Sequence, residues 1–230
     1  MKTTLKTNPD DTNAIYRKYR KVKRVTFPFT LSEDDKNKKR LTNMAQNINN
    51  ITASIIDKSY NGCMMRMGLE ISENKFIIGL DIDNKPDTQD IFNGLTKWTD
   101  LLTTNNYLNF EDINTPTQLT GNNGYHYLFT VDAPQIKKIG CSLTNIKIDG
   151  KAYSIDVKAT NQNIIFEPST YKTVDKKIKN YKWLKNVGDV PIMKLPIWIY
   201  NIITANKIDK VIKLLTTHLL PSENNVFRVP

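Results

Sequence analysis

The sequence predicts a mixed fold, α+β or α/β, and three observations carry that expectation. From residue 63 onward, short apolar runs recur that alternate in and out at the two-residue period of a strand. Between the second and third of these runs lies a segment of helical period, and another follows near the C-terminal end. Strand and helix patterns therefore interleave on one chain of 230 residues, long enough for a sizeable core.

Residues 1 to 12 read as a disordered lead, residues 13 to 200 as the main domain, and residues 201 to 230 as a C-terminal helix connecting to a further domain. "VTFPFTL" carries a short strand signal. A polar helix is expected over about 33 to 50, because Ser32-Glu33-Asp34-Asp35 has the composition of a helix start and the lysines from Lys36 to Arg40 suit a helix surface. Strands are expected at Met64 to Glu70, Lys75 to Asp83, Tyr125 to Val131, Lys151 to Lys158 and Ile164 to Phe166. In "TQDIFNGLTKWTDLLTTNN", Ile91, Leu95, Trp98 and Leu102 recur at spacings of three and four, so the segment is an amphipathic helix with Trp98 in the core. From about 196 to 220, Ile208, Val211, Ile212, Leu215 and Leu219 form one stripe, expected to pack on the sheet.

Cys63 and Cys141 stand in no metal-ligating spacing and read as two buried free thiols, which fits a reducing, cytoplasmic compartment. The sequence shows neither a secretory signal nor an apolar run of the roughly 18 residues that a membrane span requires. A net charge of +10 points to a polyanionic partner, most simply nucleic acid, although an anionic membrane surface would also suit it. Part of that charge is clustered in "YRKYRKVKR", where Arg17, Lys18, Arg20, Lys21, Lys23 and Arg24 surround Tyr16 and Tyr19. Such a mix can hold phosphates and stack on bases, and it equally describes a solvated basic arm.

The chemistry concentrates in three short stretches. In "KFIIGLDIDNK", Phe76, Ile78, Leu80 and Ile82 share one strand face, and Ile77, Gly79, Asp81 and Asp83 share the other. Two carboxylates at i and i+2, roughly 7 Å apart along a strand, can grip one cation or share two. Gly79 beside them leaves room for a substrate. "IDGKAYSIDVKAT" sends Asp156 from the polar face of another strand, with Lys158 two places on. "TGNNGYHYLFT" is a Gly/Asn-rich turn that feeds a strand beginning with His126, a composition that lets main-chain N–H groups and an imidazole approach an anion. His218, in the last helix, is the other histidine and reads as incidental.

In that order, these motifs resemble the archaeo-eukaryotic primase superfamily, and within it the bifunctional primase-polymerase (prim-pol) domains, some fused to helicases in large DNA viruses, plasmids and phages. "TGNNGYHYLF" is similar, without gaps, to the family pattern Thr-Pro-Ser-Gly-Gly-aromatic-His. "NIIFEPST" is similar to a family strand ending in Pro-Ser, and "YKWLKNVGDVPIMKLPIWI" to its Tyr-x-Trp and Leu-Pro-x-Trp segments. The likeness runs from about residue 60 to 200. Asn122 and Asn123 replace the expected Ser-Gly, Lys158 stands where an arginine is frequent, and Thr160 to Asn163 replace a Gly-rich run.

The resemblance implies an α+β, two-lobed catalytic domain whose sheet is related to the RNA-recognition fold. It further implies template-directed nucleotidyl transfer, starting and extending primers on single-stranded DNA from nucleoside triphosphates (NTPs or dNTPs), with a replicative helicase, fused or separate, as a partner. Asp81, Asp83 and Asp156 would hold two Mg2+ or Mn2+ ions, and Thr120, Asn122, Asn123, Gly124, His126 and Lys158 would bind the nucleotide. Two rivals stand beside this reading: a metal-dependent nuclease of the RNase H type, for which no catalytic glutamate follows "GLDID", and a non-catalytic single-stranded-DNA-binding module. A rolling-circle endonuclease would want a His-x-His pair, which Tyr125-His126-Tyr127 does not offer.

Overall fold

The computed structural model describes residues 26–33, 39–42 and 62–219, with side chains from 64 to 208. The described strands begin with β1 (Thr26–Glu33), β2 (Lys39–Thr42), β3 (Gly62–Arg66), β4 (Glu70–Ser72), β5 (Lys75–Ile82) and β6 (Ile91–Phe92), which leads into helix α1 (Gly94–Thr104). The hairpin of β7 (Thr117–Leu119) and β8 (Tyr125–Asp132) runs into the short helix α2 (Ala133–Ile139). Next come β9 (Ser142–Leu143), β10 (Lys147–Ile148), β11 (Lys151–Tyr153), β12 (Ile155–Lys158) and β13 (Asn163–Phe166). Finally β14 (Thr170–Lys172), β15 (Ile178–Asn180) and β16 (Lys182–Lys185) precede α3 (Ile197–Leu219). The class is mixed α+β.

A seven-stranded sheet in the order β16-β7-β8-β5-β12-β9, with β4 also on β5, carries the molecule; β13-β3-β1-β2 form a four-stranded sheet. The two-residue period explains how the large sheet is covered. Ile78, Leu80 and Ile82 of β5, Tyr127, Phe129 and Val131 of β8, and Ile155 and Val157 of β12 share one face with Trp98 and Leu102 of α1, Ile136 and Ile139 of α2, and Ile199 and Ile203 of α3. Burying each such side chain contributes about 1.5–3 kcal/mol. On the opposite face, Ile77 and Leu128 meet Met65, Ile164 and Phe166 of the smaller sheet.

Helix α1 starts at Gly94 because Asn93 caps it, its side-chain oxygen accepting from the N–H groups of Leu95 at 2.8 Å and Thr96 at 3.3 Å. Gly94 itself lies so close to the 153–154 segment that an added Cβ would come within 2.2 Å of the Ser154 carbonyl oxygen. Ile91, expected on the helix, lies in β6, while Trp98 is buried as expected and donates to the Tyr127 hydroxyl at 3.2 Å.

Several expectations are corrected. The helix over about 33 to 50 is contradicted by β2, which pairs antiparallel with β1 and sets Glu33 opposite Lys39 and Ser32 opposite Arg40. Cross-strand pairing outweighs the acidic helix-start composition there. The single strand expected from Lys151 to Lys158 is broken at Ser154, where the chain passes from the β10-β11-β6 sheet to the large one. The Ser154 hydroxyl holds the break, donating to the Phe92 carbonyl at 3.2 Å and accepting from the Gly94 N–H at 2.9 Å. Helix α3 turns Ile199 and Ile203 to the core, whereas Ile208 is 60% exposed, so the expected stripe does not start on the sheet. Cys141 is free and exposed rather than buried. No described helix is long and apolar enough to cross a membrane.

Candidate functional site

Strand register assembles the candidate residues. Gln118 of β7 pairs with His126 of β8, His126 with Asp81 of β5, and Asp81 with Asp156 of β12, so one row crosses four neighbouring strands. Directly opposed residues point to the same side, which puts all four on the face turned to the smaller sheet. Lys158 lies one step back along that face, opposite Gly79. Gly79 does not leave the room expected for a substrate: a Cβ there would come within 2.7 Å of Ile164 Cδ1 and 3.4 Å of Met67 Sδ. The glycine lets the two sheets close together there.

His126 is buried and held from both ends. Its Nε2 lies 3.1 Å from Asp81 Oδ1. Its Nδ1 lies 2.9 Å from the Ile165 carbonyl oxygen and 2.6 Å from Gln118 Nε2. Among the described strands β13 is an edge strand, and the Ile165 carbonyl on its open side accepts from the Gln118 amide. Gln118 is fully buried and cannot turn over: its Nε2 donates to the Ile165 carbonyl and its Oε1 accepts from the Glu167 N–H at 3.1 Å. A flipped amide would set oxygen against oxygen and N–H against N–H. The second Nε2 hydrogen therefore points at Nδ1, which favours the tautomer that carries its proton on Nε2, toward Asp81.

Asp156 accepts from the Asn145 N–H at 2.9 Å and from the Lys158 ammonium at 2.7 Å. Asp83 stands just past the end of β5, its N–H donating to the Ser154 carbonyl at 3.0 Å and its carboxylate taking the Lys85 ammonium. Burial alone would push the Lys158 amine down. The charge of Asp156 and its hydrogen bond, joined by the charges of Asp81 and Asp83, outweigh that and hold the amine above its ordinary value. The Tyr181 ring lies 5.8 Å from the His126 ring, and its hydroxyl is pushed up first by burial and then by Asp81 and Asp83. Two separate groups thus sense the acidic residues as one field.

The turn from Thr120 to Gly124 is tightly made. Thr120 N–H donates to the Gly124 carbonyl at 2.9 Å, Asn123 N–H to the Thr120 carbonyl at 3.0 Å, and Gly124 N–H to the Thr120 hydroxyl at 3.0 Å. Those three N–H groups serve the turn itself, and Thr120 is buried. Gly124 is required by contact, since a Cβ would come within 2.2 Å of the Ile82 carbonyl oxygen. Asn123 is exposed with φ of 58°, a left-handed value that asparagine tolerates, and Asn122 lies 3.4 Å from the Tyr171 hydroxyl. The turn is thereby fixed at the Asp83 end of the site. The basic residues from Arg17 to Arg24 lie outside the described residues.

Gln118 escapes the sequence reading, and Tyr181 enters it only as the tyrosine of the Tyr-x-Trp segment, with no role at the site. The signal for Gln118 was present: closing the turn so that Leu119 faces Tyr125 puts Gln118 opposite His126. The Tyr-x-Trp motif marks Tyr181 without showing that it packs on His126, because that place depends on the passage from β15 to β16.

Three carboxylates on one face form an all-oxygen donor set of the kind that hard divalent cations take. The Lys158 ammonium, stabilised by all three, sits there as a single positive charge in their joint field. The donors therefore fit a cation in kind. Among the described residues no group of three or more His, Cys, Asp or Glu is gathered closely enough to ligate one ion, since each carboxylate is turned to a side-chain nitrogen: His126, Lys85 or Lys158.

A comparison with curated proteins returns no match. The Prim-Pol family, described as bifunctional DNA primase/polymerase, N-terminal, matches residues 24–198, which include β1 and every strand that contributes to the acidic row. By that match over most of its length, the chain belongs to the Prim-Pol family of DNA primase/polymerase domains.

Proposed function

We propose that this domain synthesises primers on single-stranded DNA and extends them by template-directed nucleotidyl transfer. The observation that supports this most is the row Gln118, His126, Asp81 and Asp156, aligned across four strands with Lys158 in the field of the acids. The finer fold reading, two lobes around a sheet related to the RNA-recognition fold, belongs to the same proposal.

Asp81, Asp83 and Asp156 would hold two divalent cations, Mg2+ or Mn2+. Such ions favour deprotonation of an attacking 3′-hydroxyl and neutralise the charge of a leaving pyrophosphate. The protein's own part is positional. His126, its Nδ1 held by the Gln118 amide, carries its proton on the Nε2 that faces Asp81 and would donate it to a triphosphate oxygen in place of that carboxylate. Lys158, held charged beside the acids, would meet the same group as a point charge, without the bidentate fork of an arginine. The turn from Thr120 to Gly124 would flank the nucleotide, with Asn122 and Asn123 as its polar contacts.

The test is nucleotide incorporation on a single-stranded template with Mg2+ or Mn2+ present. Asp81→Asn, Asp83→Asn and Asp156→Asn should each abolish incorporation while melting like the parent, and retained activity in any of them removes that residue from the site. Degradation of the strand without nucleotides would favour a nuclease. Strand binding with no uptake of nucleotide or Mn2+ would favour a binding module.

A further inference from the structure

The segment from Thr170 to Lys185 carries six lysines and one aspartate. Two of the lysines are engaged: Lys177 pairs with Asp175 at 2.7 Å, and Lys185 donates to the carbonyls of Glu111 and Ile113. Among the described residues, Lys172, Lys176, Lys179 and Lys182 have no carboxylate partner. Lys172, Lys176 and Lys182 are exposed. Val174 and Ile178 of the hairpin and Leu184 of β16 stand among them as exposed apolar side chains, 47%, 52% and 40% exposed.

This basic hairpin is part of the wall of the acidic site. Tyr171 and Lys179 are paired across it and close on Gly121, where a Cβ would come within 2.8 Å of Tyr171 Cε1 and 3.0 Å of Lys179 Cβ. Tyr181, between Lys179 and Lys182 in sequence, packs on His126. Four lysines that repel one another beside a face of three aspartates make sense as a counterpart to a polyanion that must reach carboxylates which would otherwise reject it.

We propose that the β14–β15 hairpin and the start of β16 are the track along which single-stranded DNA lies as it enters the site. This rests on the functional reading above and adds the surface that holds the strand. Lys172, Lys176, Lys179 and Lys182 take successive backbone phosphates. Ile178 and its exposed apolar neighbours touch unstacked bases, whose faces a duplex keeps covered.

The experiment measures the affinity of the whole chain for oligothymidine and for duplex DNA over a range of salt. Changing Lys172, Lys176, Lys179 and Lys182 together to glutamine should reduce the slope of log affinity against log salt on the single strand by about 0.7 per lost contact, about 3 in all. Ile178→Ala should weaken binding at high salt and leave the slope unchanged. Should the fourfold variant melt early, Lys172→Gln with Lys176→Gln carries the test, with half the slope change expected. An unchanged slope in a folded variant, or an equal change on the duplex, overturns the track. If Asp81→Asn still abolishes incorporation in that case, the track alone has failed; a parent chain with no affinity for single strands takes the functional reading down as well.

Discussion

Replacing Gln118 with leucine tests how the site holds its histidine. The amide has three partners: the Ile165 carbonyl, the Glu167 N–H at 3.1 Å and His126 Nδ1 at 2.6 Å. Leucine has similar bulk and none of these bonds. The Ile165 carbonyl and Nδ1, 2.9 Å apart, can satisfy each other if the ring proton moves to Nδ1, but the Glu167 N–H is orphaned. One buried donor without a partner costs about 1–3 kcal/mol, which sets the expected loss of stability in a denaturant titration. The proton shift also leaves a bare Nε2 facing the Asp81 carboxylate across 3.1 Å, so the ring is expected to turn away from it. Nitrogen NMR reads this directly, because His126 and His218 are the only histidines and His218→Gln leaves one signal set. The parent should show a protonated Nε2 and a bare Nδ1, and Gln118→Leu should lose that pattern. A parent already protonated on Nδ1, or a variant with an unchanged spectrum, would refute the argument that the amide sets the tautomer.

Gly79→Ala forces a Cβ against Ile164 Cδ1 and should destabilise the fold by about 1–3 kcal/mol in chemical denaturation, and adding Ile164→Val should recover part of the loss. Lys158→Met removes the positive charge that the three aspartates surround; Mn2+ should bind more tightly and nucleoside triphosphate more weakly, both measured by titration of the variant. Lys194 and then Lys75 hold the Asp132 carboxyl below the usual carboxylate range. That stabilisation is present above the ordinary range and is lost as pH falls through the depressed value. Asp132→Asn should therefore melt below the parent at neutral pH, and the gap in melting temperature should close in strong acid.

The strands that build the site were legible because their patterning and their chemistry agree. In β5 the same alternation that buries Ile78, Leu80 and Ile82 sends Asp81 to the other face, and β8 and β12 repeat the logic for His126 and Asp156. Legibility failed where pairing at a distance decides. Lys39–Thr42 has no period of its own and becomes a strand only because β1 is beside it. Gln118 sits in a strand of three residues, too short for alternation to register, so that only the pairing across its turn marks it, and the purpose of Gly79 is visible only with Ile164 in place. The lysines of the β14–β15 hairpin are spread singly along the sequence, so they do not stand out as the run from Arg17 to Arg24 does.

The closure of the two sheets at Gly79 has a consequence for traffic. Ile164 and Met67 stand where a Cβ at Gly79 would be, so on that side of Asp81, two residues along the same face of β5, the sheets are packed against each other. Under the proposed function, nucleotide would then have to come and go on the side of the acidic row away from Gly79.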